Sequence, residues 1–87
     1  MEKYSIIKLL SDQNRYNIFI KLLEYDGLCI SEIEGLLGLK QANVSKHMRQ
    51  FKELGIVDFE RQKNMIKYKV KDSFLNDNID LIKYLMM

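Results

Sequence analysis

The chain has 87 residues, 47% of them apolar and 30% charged, with a formal net charge of +2. That is the size of one small domain, residues 1–87, with too much apolar content at too low a net charge for a disordered chain. Cys29 is the sole cysteine, which excludes an internal disulfide, and Cys29 with the lone His47 cannot make an ordinary nitrogen–sulfur zinc site in one chain.

The first apolar cluster, Tyr4, Ile6, Ile7, Leu9 and Leu10, predicts a short helix that is apolar on more than one face. The opening Met1-Glu2-Lys3-Tyr4 begins no secretory signal pattern, so a cytoplasmic location is expected. Asp12 is placed to cap a second helix that runs to about Tyr25, with Tyr16, Phe19, Ile20 and Leu23 at helical spacing. Asp26-Gly27 ends it.

Ser31 and Glu34 have the spacing of a capping box before a short helix, Glu32 to Leu37. Gly38-Leu39 then reads as a tight turn. A further helix follows from about Gln41 to Leu54, with Val44, Met48 and Phe51 on one side and Gly55 as its stop. Beyond it the period changes to two: Ile66, Tyr68 and Val70 alternate with Lys67 and Lys69, and Val57 and Phe59 share a face of Ile56 to Arg61. These predict a hairpin turning around Gln62-Lys63-Asn64. Leu75, Ile79, Ile82 and Met86 then mark one last helix, about Phe74 to Met87. The expected class is mainly α (α+β), in the order α-α-α-α-β-β-α. No apolar run approaches the roughly 18–20 residues that span a bilayer, so no membrane partner is expected.

Charge is unevenly placed along this order. Residues 40–71 carry nine basic and three acidic side chains, net +6, while the segments on either side each carry −2. One continuous basic block between acidic flanks suggests a surface facing a polyanion. The plainer reading is a solvated lysine-rich face, since eleven lysines against one alanine suit an AT-rich gene.

The basic block begins on the second helix of a helix, glycine-containing turn, helix unit, about residues 31–54, the arrangement that presents a helix to the DNA major groove. The hairpin, about 56–70, lies after it as a wing would. Here the sequence resembles the winged-helix ArsR/SmtB bacterial regulators. Leu10-Ser11-Asp12-Gln13-Asn14-Arg15 resembles that family's L-A/S-D-P-T-R, and Leu28-Cys29-Ile30-Ser31-Glu32-Ile33 its L-C-V-C-D-L. Leu37-Gly38-Leu39-Lys40-Gln41-Ala42-Asn43-Val44-Ser45-Lys46-His47-Met48 resembles L-G-L-S-Q-S-x-V-S-x-H-L, the most specific stretch. Leu54-Gly55-Ile56-Val57 resembles the A-G-L-V leading into the wing, and Tyr68 matches the wing's tyrosine.

The departures from the pattern carry expectations of their own. Lys40 replaces a capping serine and could meet a phosphate instead; Gln13 replaces proline. Glu34 replaces a small residue, with its carboxylate expected to serve the capping box. Lys63 stands where a wing-tip glycine is common, so Asn64 is expected to take the positive φ. Asp58 and Glu60 stand where basic residues are frequent, which weakens the wing's contribution to DNA.

Gln41, Asn43, Lys46 and Arg49 are the candidates for base edges, since Gln and Asn pair with adenine and Arg or Lys with guanine. Lys40, Ala42, Ser45, Arg61, Lys63, Asn64 and Lys67 complete the expected DNA surface. His47, between Val44 and Met48, is read either as a core histidine or as a DNA contact. The first and last helices, about 3–10 and 74–87, hold more apolar surface than one small domain uses. Tyr4, Ile6, Ile7, Leu10, Leu75, Ile79, Ile82, Leu85 and Met86 are therefore the expected seam of a homodimer, as the resemblance also implies, reading a palindromic site.

Cys29 matches the first thiol of the family's metal-binding C-x-C, but Ser31 occupies the second position. The family's other metal site uses carboxylates and histidines of the last helix; Asp72, Asp77 and Asp80 stand here without a histidine. No metal, cofactor or essential small-molecule effector is expected. Cys29 as a redox switch is an alternative, as is a winged-helix module or antirepressor that binds protein. With no glycine-rich phosphate loop and no nucleophile beside a base, an enzyme is not expected. A transcriptional regulator, a repressor by preference, is the reading that uses most of the chain.

Overall fold

The computed structural model describes residues 3–87; Met1 and Glu2, where the secretory-signal reading begins, lie outside the described residues. Helix α1, Lys3–Leu10, buries Ile6 and Leu9 and leaves Tyr4 and Ile7 exposed. Ser11 closes it, its hydroxyl donating to the Lys8 carbonyl at 2.7 Å. Helix α2, Gln13–Glu24, starts at Asp12, whose Oδ2 accepts from the Arg15 backbone N–H at 3.0 Å. Its buried residues are Ile18, Phe19 and Leu22, whereas Tyr16, Ile20 and Leu23 are half-buried. The core-facing line is therefore rotated from the expected one, because neighbouring rows of this helix are both apolar and only the partner helices decide between them.

Helix α3, Ile30–Leu37, begins two residues earlier than the Ser31–Glu34 spacing suggests. Its N-cap is Cys29, and Glu32, not Glu34, reaches back, Oε1 accepting from the Cys29 backbone N–H at 2.9 Å. Leu28 explains the shift. It exchanges both backbone bonds with Tyr68 (2.9 and 2.8 Å), so the chain is held extended up to Cys29 and turns helical immediately after. Gly38 ends α3 at φ +65°, a conformation that costs an L-residue about 1 kcal/mol, and its N–H returns to the Glu34 carbonyl at 2.8 Å.

Helix α4, Gln41–Glu53, follows this turn and buries Val44, His47, Met48 and Phe51. Strands β1, Val57–Gln62, and β2, Met65–Val70, pair antiparallel from Val57↔Val70 to Gln62↔Met65. That register leaves Lys63-Asn64 as a two-residue turn, and the positive φ, +54°, falls on Lys63 rather than Asn64. Both tight hairpin turns that match the strand twist require φ > 0 at their first central residue, which is Lys63 here.

The expected last helix is broken in two: α5, Asp72–Asp77, and α6, Ile79–Leu85, with Asn78 between them at φ −127°. The Asn78 side chain explains the break, its Nδ2 donating to the Phe74 carbonyl at 3.0 Å and offering the backbone an alternative to a continuous ladder. The result is a winged helix-turn-helix: α3 and α4 form the unit, the hairpin is the wing, and α1, α2, α5 and α6 support them.

One core joins these parts. Phe19 of α2 stacks on Phe51 of α4 with ring centroids 6.2 Å apart, and meets Phe74 of α5 edge-on at 6.0 Å. Ile6, Ile18, Ile33, Val44, Met48 and Ile56 fill the space around them, each at most 1% exposed. Phe51 and Val44 thus fix the inner face of α4, which determines what its outer face can present.

Candidate nucleic-acid interface

On α4 the residues divide cleanly. Val44, His47, Met48 and Phe51 point inward, and Gln41, Ala42, Asn43, Lys46, Arg49 and Lys52 are exposed, with Ser45 half-buried at the margin. The exposed set therefore brings together the polar residues of the first turns and the cations that follow. Lys40, the exposed N-cap residue, carries an ammonium that has no acceptor with which to cap the helix, so it adds a cation at the positive end of the α4 dipole. A helix N-terminus with free N–H groups and flanking cations suits a phosphate oxygen.

The wing has two chemically different faces. Asp58 lies opposite Lys69 and Glu60 opposite Lys67, so acid and base share one face and offset each other. Lys71 adds a 3.9 Å pair with Asp58. Lys67 is committed elsewhere: its ammonium lies 3.3 Å from Glu32 Oε1, and its stem runs 3.7 Å from where a Cβ on Gly27 would stand. Lys67, expected among the DNA-facing cations, is thus half-buried and paired with Glu32, unlike the exposed residues of the wing tip. Arg61, Lys63 and Asn64, at the tip, are exposed. Phe59 and Tyr68 form the other face, ring centroids 6.3 Å apart, with the Lys52 ammonium 4.2 Å above the Phe59 ring. Lys52 thereby ties the end of α4 to the wing base.

His47 belongs to the interior. It is 6% exposed, and its Nδ1 lies 3.3 Å from the Gln50 side-chain oxygen. Of the two readings of His47, its burial accords with the core histidine: the side chain lies on the Val44–Met48 side of the helix, away from the exposed row. Arg15 also meets Gln50 (3.4 Å) and donates to the Leu9 carbonyl (2.7 Å). Sequence patterning assigned neither Arg15 nor Gln50 a role at the site, because their link spans 35 positions and no periodicity reports it.

Two carboxylates are held in their charged form. The backbone N–H of Arg15 holds Asp12 below the usual carboxylate range. For Glu32 the Cys29 backbone N–H is the largest cause, with the Cys29 thiol and Lys67 adding to it. Both carboxylates cap helices, so charge, capping and helix dipole act in one direction.

Cys29 is 6% exposed, and its Sγ lies 3.1 Å from the Ser31 hydroxyl. A soft metal wants two or three thiolates, and this pair offers one thiol and one hydroxyl, so the residues do not fit such an ion. Among the described residues no group of three or more His, Cys, Asp and Glu side chains is arranged to hold a metal ion.

Of the expected dimer seam, Ile6 (0% exposed) and Ile82 (8%) are buried in the core of the single chain. Leu10, Leu75 and Leu85 are half-buried against the same core. Tyr4, Ile7, Ile79 and Met86 are exposed, as is Tyr84, which helical spacing did not include and which, 74% exposed, is more open than Ile79 on the same helix. No described helix is long and apolar enough to cross a membrane.

Comparison with known proteins agrees with this geometry. Residues 12–58 match the family model described as "Bacterial regulatory protein, arsR family". The cadmium resistance transcriptional regulatory protein CadC of Listeria innocua is 34% identical over 65 residues, 75% of this chain and 55% of that protein. The HTH-type transcriptional regulator YgaV of Escherichia coli K12 is 25% identical over 79 residues, 91% of this chain and 80% of that protein. The chain thus spans about half the length of the first of these relatives. Among solved structures, HlyU from Vibrio cholerae N16961 superposes with a TM-score of 0.77 at 24% identity, covering 98% of this chain and 97% of that one. This likeness is one of fold. With the matched segment running from the Asp12 cap through α4 into β1, the chain belongs to the arsR family of bacterial regulatory proteins.

Proposed function

We propose that this chain binds double-stranded DNA as a homodimer and regulates transcription in the cytoplasm, as a repressor that occupies a palindromic promoter site. The observation that carries this reading is the division of α4: Gln41, Asn43, Lys46 and Arg49 exposed together, and Val44, Met48 and Phe51 buried behind them. Gln41 and Asn43 suit adenine edges, and Lys46 and Arg49 guanine edges, each worth about 1–3 kcal/mol of discrimination. Lys40, Ser45 and the tip residues Arg61 and Lys63 meet phosphates, which fixes register and supplies the salt-dependent affinity. Tyr4, Ile7, Ile79, Tyr84 and Met86 form the two-fold seam. The poor fit of Cys29 and Ser31 to a soft metal supports regulation without a metal at that position.

The test is affinity for a bound DNA sequence after Lys46→Ala and Arg49→Ala, with dimer and fold checked separately. A loss in both variants supports the contact surface; unchanged affinity in both removes it. The second reading, a winged-helix module that binds a protein, is favoured by the exposed carboxylates Asp58 and Glu60 on the wing, opposite Lys69 and Lys67 in the ladder. DNA binding without sequence preference that vanishes at moderate salt, beside a stable protein partner, supports that reading instead.

A further inference from the structure

Arg15 reaches out of the first turn of α2 in two directions. Its Nε donates to the Leu9 carbonyl at the end of α1, 2.7 Å away. Its Nη1 donates to the Gln50 side-chain oxygen on α4, 3.4 Å away. The last carbonyls of any helix lack intrahelical partners, so one guanidinium satisfies the end of α1 and holds α4 at the same time. The Gln50 oxygen is also 3.3 Å from His47 Nδ1, which ties it to the buried side of the helix. Arg15 and Gln50 are both half-buried. Lysine could not replace the fork, because a single ammonium has no fixed second donor to send to Gln50.

What this link joins matters for recognition. α1 carries Tyr4 and Ile7 on its exposed side. α4 carries Lys46 and Arg49, the latter adjacent to Gln50 in the chain. We propose that Arg15 and Gln50 are positioning residues that fix α4 relative to α1 and so set the half-site spacing the dimer accepts. This rests on the dimeric DNA-binding reading above. In a two-fold protein the separation of the two reading helices must equal the half-site separation, about 34 Å for one turn of DNA. One base-pair step moves a half-site by about 3.4 Å along the axis and turns it by about 36°. A reading helix held at both its buried face and Gln50 rejects that displacement; one free to rock on its core residues tolerates it.

The experiment is selection from a random duplex pool by the wild-type chain, Gln50→Leu and Arg15→Lys, followed by affinity measurements at spacings one base pair longer and shorter. Circular dichroism and sedimentation record fold and dimer for each. The wild type is expected to select one spacing. Both variants are expected to narrow the gap between that spacing and its neighbours by about tenfold, an ordinary coupling between linked residues, with the salt slope unchanged. Arg15→Lys keeps the charge and a donor for Leu9, so it serves as the better-folded variant. A wild-type spacing preference retained by folded variants overturns the proposal and leaves Arg15 as a helix cap. A salt slope shallower by about 0.9 per chain in Gln50→Leu or Arg15→Lys overturns it in favour of a phosphate contact. If the wild type selects no sequence, the DNA-binding reading fails first, and this one with it.

Discussion

Replacing Lys40 with alanine tests the charge assignment most quantitatively. Lys40 is the exposed N-cap of α4 and makes no side-chain cap bond, so alanine removes an ammonium without removing a cap. On the proposed reading that ammonium meets one phosphate per chain and two per dimer. Each phosphate contact contributes about −0.9 to the slope of log affinity against log salt, so the variant's slope should be shallower by about 1.8. Across a fourfold rise from about 50 to 200 mM salt, the wild type should then lose about tenfold more affinity than the variant. Lys67→Ala is the matched control, because the Lys67 ammonium is already 3.3 Å from the Glu32 carboxylate. It should keep the wild-type slope. Fluorescence anisotropy on one labelled duplex at four salt concentrations measures both. Equal slope changes in the two variants, or none for Lys40→Ala, refute the sorting of free from committed cations.

Phe51→Ala should cost about 3–5 kcal/mol in urea unfolding, since it empties the stack on Phe19 and the support beneath α4; a cost below about 1 kcal/mol would remove Phe51 from the core account. Acid should destabilise the protein through Asp12 and Glu32. Their folded values are depressed, so their contribution is present above the ordinary carboxylate range and fades as pH falls through the depressed values. Urea midpoints at neutral and acidic pH should therefore differ less in Glu32→Gln than in the wild type, and an identical difference contradicts the capping role. Cys29, buried beside Ser31, should react with a thiol reagent at least about 100-fold more slowly in the folded protein than in urea, because reaction waits for local opening. Comparable rates would return Cys29 to consideration as a redox switch.

Most of the fold was legible because local signals and core demands agree. The Asp12 cap, Gly38 at the turn, the 3.6-residue spacing of Val44, Met48 and Phe51 and the two-residue period of the wing each point to the element found there. The misreadings arise where a distant contact decides between local options. The capping box falls on Cys29 and Glu32 because Leu28 is pinned to Tyr68, forty residues away, and Ser31–Glu34 has a similar local pattern. In α2 the rows through Tyr16 and through Ile18 are both apolar, and the helix turns on its axis to suit Phe51 and Phe74. The break at Asn78 needs only one side-chain bond, which a hydrophobic stripe does not register.

The candidate site was legible in the same measure. The exposed row of α4 follows directly from the spacing of the buried row, since residues between core positions on a helix must face outward. The choice between the two readings of His47, and the pairing of Lys67, did not follow. His47 lies at the boundary of the two rows, and Lys67 alternates correctly for a wing cation, yet each is claimed by a partner the sequence does not announce, Gln50 and Glu32. The expected seam shows the opposite case: Ile6 and Ile82 look like surplus apolar residues by composition, but both are packed in the core of this small chain.

The central claim is that α4 reads DNA in the context of a pair of chains. The direct measurement is a salt-titrated binding isotherm of the purified protein on the DNA upstream of its own gene, against a scrambled duplex of equal length, with the stoichiometry of the complex determined alongside. The account predicts specific binding at least about 10³-fold tighter than non-specific, with two chains on each site. Equal affinity for both duplexes, or one chain per site, would contradict it.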